Sequence, residues 1–130
     1  MEFQITFDPD AATLATAGEA SLEGFRRGIK ALVDDPRFEP GMAILVDHRS
    51  LDVTPLDPSD VRAIGEYTAT LGERIGPSSV AVVVPDRVTF GFVRMGESFA
   101  NQPQLSVRVF YSLPEGVEWL RTQTPASGTP

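Results

Sequence analysis

The sequence predicts a single α/β domain built on a mostly parallel sheet. Two short runs, 42–46 and 80–84, are apolar at every position, as in strands covered on both faces. Around them lie stretches whose apolar residues recur with the helical period. From residue 21 onward strand and helix alternate, the order that builds parallel sheets through right-handed crossovers.

Each element has its own signal. Phe3, Ile5 and Phe7 alternate with polar neighbours, the period of a half-buried strand. Asp8-Pro9-Asp10 is turn chemistry, and 13–17 returns as the second arm of a hairpin. A helix is expected over 21–34, with Ser21 as N-cap and Leu22, Phe25, Ile29, Leu32 and Val33 on one stripe. Pro36 and Pro40-Gly41 end it. The strand 42–46 follows, then a loop to Asp57-Pro58, which supplies an N-cap and a proline at the first helical position. Val61, Ile64, Thr68, Leu71 and Ile75 form the buried stripe of the second helix, closed by Gly76 and Pro77. After the strand 80–84, Asp86 caps a third helix whose expected buried stripe is Val88, Phe92, Met95 and Phe99. The strand 105–111 carries Ser106 and Arg108 on one side and is expected at an edge. Ser112-Leu113-Pro114-Glu115 resembles a capping box opening a last short helix through Trp119 and Leu120. The domain is expected to span 1–121, with 122–130 as a polar tail.

Composition narrows the function. The net charge of −7 argues against nucleic acid, since phosphate neutralisation needs clustered Lys and Arg. Arg26, Arg27 and Lys30 read as the wet face of the first helix. With no cysteine there is no disulfide, thiolate metal site or cysteine nucleophile. No secretory leader and no apolar run long enough to cross a bilayer stand in the sequence, so a cytoplasmic location is expected.

The order of elements, with Ile44-Leu45-Val46-Asp47-His48-Arg49, Gly91-Phe92-Val93-Arg94-Met95, Val109-Phe110 and Glu118-Trp119-Leu120, resembles the SpoIIAA-like fold of the bacterial STAS and STAS/Sec14-type domains. In anti-sigma-factor antagonists of that family, a serine at the start of a helix is phosphorylated to release a partner. The matching stretch is Asp57-Pro58-Ser59-Asp60, where Pro58 replaces one serine and Asp60 a glycine. The resemblance thus marks Asp47, Arg49, Asp57 and Ser59 as a candidate partner or phospho-switch loop. It also implies a second role, by likeness to the lipid-binding CRAL-TRIO domains: a carrier of a small apolar ligand.

His48, the only histidine, stands at the carboxyl end of a predicted parallel strand, where ligands sit in open α/β sheets. It has no nucleophile elbow beside it and reads as a solvated loop histidine. Asp52, Asp57 and Asp60 offer oxygen ligands for Mg²⁺, or else cap a helix. Phe90, Val93 and Arg94 form a candidate ligand or partner surface, Arg94 either packing over Phe90 or meeting an anionic group.

No catalytic residue, cofactor or metal is expected. The foremost expectation is a non-enzymatic STAS-like interaction domain in bacterial regulation, binding another protein. The apolar carrier is the alternative. Because the apolar strands need cover on both faces, a homodimer with Phe90 and Val93 at its contact is also expected.

Overall fold

The computed structural model of the chain describes residues 1–8 and 11–123. Five strands, β1 (Glu2–Phe7), β2 (Ala11–Glu19), β3 (Ala43–Asp52), β4 (Ser78–Val83) and β5 (Leu105–Phe110), lie side by side in chain order. β1 and β2 form the antiparallel hairpin, and every later pair is parallel. Sequential order with parallel pairs requires a crossover each time. Helices α1 (Leu22–Asp34), α2 (Pro58–Thr70) and α4 (Arg87–Ala100) supply them on one face of the sheet. A single turn, α3 (Gly72–Ile75), follows α2, and α5 (Leu113–Gln123) ends the described chain on the other face.

Local chemistry sets the helix ends. The Ser21 hydroxyl accepts from the Gly24 amide at 2.9 Å. Asp57 accepts from the Asp60 amide at 2.8 Å while Asp60 accepts from the Asp57 amide at 3.1 Å, a reciprocal capping box. Asp86 accepts from both the amide and the hydroxyl of Thr89 at 2.8 Å. The predicted second helix breaks at Leu71 into α2 and α3. Gly76 stops it with φ of 74°, where a Cβ would meet the Gly41 amide nitrogen at 2.8 Å.

α5 lays Leu120, with Leu113 and Trp119, on Leu45, Ala81, Val83 and Phe110. The chain therefore covers this side of its central strands itself. The shortfall from which the homodimer was expected does not arise there. Helix α5 also runs through residues 122 and 123 of the expected tail. Residues 124–130 lie outside the described residues.

The third helix is turned relative to expectation. Val88 is 55% exposed and Met95 is exposed too, while Phe99 sits at the rim of the contact with α2, beside Gly65 and under Arg62. The inward face instead carries Thr89, Phe92, Val93, Gly96 and Ala100. Small residues set this rotation. A Cβ at Gly65 of α2 would lie 2.7 Å from the Gly96 carbonyl, so α2 and α4 meet backbone to backbone at that point. Among the described residues, no helix is long and apolar enough to cross a membrane.

Candidate functional site

β3 runs on through Asp47, His48, Arg49 and Ser50 to Asp52, where a solvent-exposed loop was expected. Ala15 pairs with Asp47, yet Ala17 pairs with Ser50, so β3 holds one extra residue at this point. Such a bulge shifts the alternation of side chains. Ile44, Val46 and His48 point toward the helices, and beyond the bulge so do Leu51 and Val53. Leu51, Val53 and Leu56 are buried. His48 is buried too, at 5% exposure, which corrects its reading as a solvated loop residue.

The imidazole has defined surroundings. Its Nδ1 lies 2.7 Å from Thr16 Oγ1 on β2, and the Phe25 ring meets it edge-on at 5.6 Å between centroids. Thr16 Oγ1 also lies 3.2 Å from the Asp47 carbonyl oxygen. A hydroxyl has one proton. Both contacts are hydrogen bonds only if Thr16 donates to the carbonyl and accepts from Nδ1–H. That assigns the proton to Nδ1 and leaves Nε2 an acceptor. Burial pushes the imidazole down to about 4, against a smaller opposing pull from Asp47. The pair cannot work as nucleophile and base near neutral pH: the hydroxyl proton is committed to a carbonyl, and the ring holds its own proton on Nδ1.

His48 stands at one end of a cavity of about 420 Å³ between the sheet and helices α1, α2 and α4. Leu14, Ile44 and Val82 form its floor, and Val61, Ile64 and Phe92 its roof. Around His48 the lining is closed by Val53, Leu56, Val61 and Thr89, all buried. At the far end, Asn101 and Pro103 are exposed and Glu97 and Gln102 half-buried, so the mouth lies by the C-terminus of α4. No buried side-chain nitrogen or oxygen among the described residues lacks a partner, and Nε2 has none, so Nε2 reaches open space.

The residues singled out from sequence fall in three places. Asp47 and Arg49 pair through two parallel hydrogen bonds of 3.0 and 2.9 Å on β3, which holds the Asp47 carboxyl below its usual range. Asp57 and Ser59 lie at the exposed start of α2, where the Ser59 hydroxyl donates to Asp57 at 2.7 Å. That bond and the capping amides lower the Asp57 carboxyl. No hydrogen bond or ion pair among the described residues joins these two pairs. Phe90, Val93 and Arg94 do not form one surface. Phe90 stacks on Tyr111 at 5.6 Å, Arg94 lies over Phe90 at 6.0 Å and 3.5 Å from Glu97, and Val93 turns inward to line the cavity. Asp57 and Asp60 serve as caps, and no group of three metal-ligating residues occurs among the described residues.

Sequence reasoning did not find Thr16 or the inward turn of His48. The only trace was a polar break in an apolar strand. It read as the strand's end, while the fold makes it a bulge.

No protein-family model matches the chain, and no curated protein matches it. Two solved structures share its fold. One is an uncharacterized protein of the DUF3478 family with a SpoIIAA-like fold from Shewanella loihica PV-4, 15% identical, with a TM-score of 0.60 over 92% of each chain. The other is an anti-sigma factor antagonist from Mycobacterium paratuberculosis, 15% identical, with a TM-score of 0.56 over 92% of this chain and 93% of that chain. The fold of the chain is SpoIIAA-like, as the order of its elements led us to expect.

Proposed function

We propose that the chain is a cytoplasmic bacterial domain that carries a small apolar molecule between its sheet and its helices, without transforming it. The interlayer cavity of about 420 Å³ carries this reading. Its volume lies in the range of small-molecule sites, and its wall is apolar with polar groups confined to the two ends. An apolar occupant of a space this size gains packing against its wall. An engineered apolar cavity of about 150 Å³ takes up benzene, so this one suits an occupant of roughly 10 to 20 heavy atoms. Native mass spectrometry of freshly purified protein tests the proposal. An apolar adduct on the 14.1 kDa chain, or uptake of 1-nonanol after extraction, is the expected result. A chain that neither carries nor takes up such a molecule contradicts it.

A second reading is an interaction domain that binds another protein. Val88 and Met95 are exposed apolar residues on α4, with Phe99 at the edge of the α2 contact beside them, and one fold neighbour is an anti-sigma factor antagonist. Within this reading Ser59 is the candidate switch. A phosphate there would sit at a helix N-terminus but against the Asp57 carboxylate, breaking the cap. Unchanged partner affinity in Ser59→Glu would remove the switch.

A further inference from the structure

Resting on the carrier reading, we infer that the closed end of the cavity selects a ligand whose polar group donates a hydrogen bond, an O–H at the head of an apolar body, and that His48 Nε2 accepts it. The juxtaposition of three groups carries the inference. Thr16 Oγ1 accepts from Nδ1–H at 2.7 Å and donates its own hydrogen bond to the Asp47 carbonyl, 3.2 Å away. The ring is thereby fixed in the tautomer that leaves Nε2 with a lone pair. The edge-on Phe25 ring holds the imidazole plane.

Among the side chains that line the His48 end of the cavity, none offers a free donor. Val53, Leu56 and Val61 are apolar, and the Thr89 hydroxyl is already spent on Asp86 at 2.8 Å. Thr68, further along the wall, donates to the Ile64 carbonyl at 2.9 Å. An apolar occupant that filled this end without a donor would strand the Nε2 lone pair away from water, which is costly. A carboxylate or an ether oxygen would do worse, setting acceptor against acceptor. An alcohol satisfies the nitrogen and buries its own hydroxyl without loss. The site therefore discriminates by donor against acceptor, a distinction that sites built to hydrogen-bond a substrate group make strongly.

Two isomers separate the possibilities, 1-nonanol and methyl octyl ether. They share composition and differ in whether the oxygen carries a proton. Calorimetric titration of the wild-type protein should give about tenfold tighter binding of the alcohol. In His48→Leu the two affinities should fall within about twofold of each other. Equal affinity in the wild type, or a preference surviving in His48→Leu, overturns the inference while leaving the carrier reading intact. If neither isomer binds the wild type, both fall. A readout on the unaltered protein guards against a misfolded variant. The ¹⁵N resonances of His48 should show Nδ1 protonated and Nε2 bare, with Nε2 moving on addition of the alcohol and not of the ether. A proton on Nε2 in the free protein overturns the inference outright.

Discussion

Thr16 on β2 and His48 on β3 are joined by a 2.7 Å hydrogen bond in the interior, at the bulge where β3 takes on one extra residue against its neighbour. The bulge turns His48 inward, and the hydroxyl gives its ring the partner that burial demands. Without Thr16 the buried Nδ1–H would have no partner, whereas Thr16 without His48 keeps its bond to the Asp47 carbonyl.

Removing the partner should therefore cost more than removing a methyl group. Thr16→Val keeps the shape and strands Nδ1–H, and it should destabilise the fold by about 1–3 kcal/mol. Thr16→Ser keeps the hydroxyl and should lose less. Urea unfolding of the three proteins checks the order, and a Thr16→Val protein as stable as wild type would contradict the pairing.

Stability should also fall on mild acidification. Burial lowers the His48 pKa from 6.5 to about 4 in the folded protein, so the unfolded chain takes up the proton first. The contribution is complete above pH 6.5 and is lost as pH drops toward 4. At about 1.36 kcal/mol per pH unit the loss is roughly 3 kcal/mol. His48 is the only histidine, so this window belongs to it. Asp35, held at about 2 by Arg37, adds a separate loss below pH 3.8. Unfolding midpoints from pH 7 to 4 should decline steeply in wild type and less in His48→Gln. Parallel curves would show that the ring is not buried neutral.

Most of the fold was legible because its signals are local. Caps at Ser21, Asp57 and Asp86, the stop at Gly76 and the apolar runs of β3 and β4 each act over a few residues. The site was less legible because it depends on relations between distant segments. His48 needs Thr16, 32 positions away, and the bulge that aligns them exists only as a mismatch between two strands. The face of α4 was misjudged for a like reason. Val88, Phe92, Met95 and Phe99 make the stronger apolar stripe, but the close approach at Gly65 and Gly96 decides the rotation.

That rotation gives a paired expectation for α4. Val88→Ser, on the exposed side, should change stability by no more than about 0.5 kcal/mol. Val93→Ser, beside the cavity, should be clearly destabilising. Thermal melts of both proteins would expose an error if the ranking reversed.

Two glycines should respond oppositely to alanine. At Gly65 the new methyl would meet the Gly96 carbonyl at 2.7 Å and the Ala100 amide at 3.0 Å, forcing α2 from α4. A loss of at least about 1–3 kcal/mol is expected. At Gly91, inside α4, nothing lies within 4 Å. Alanine there should gain up to about 1 kcal/mol from helix propensity. Denaturant midpoints that move in the same direction would contradict the helix contact described above.

In the proposed carrier, the space between sheet and helices takes the ligand and the outer face of α4 does not. Methyl-resolved NMR during titration with 1-nonanol distinguishes the two sites. Saturable shifts are expected at Ile44, Val61, Ile64 and Val82, abolished when Val93→Trp fills the cavity. Shifts confined to Val88 and Met95, or shifts at the cavity methyls that persist unchanged in Val93→Trp, would contradict the carrier reading.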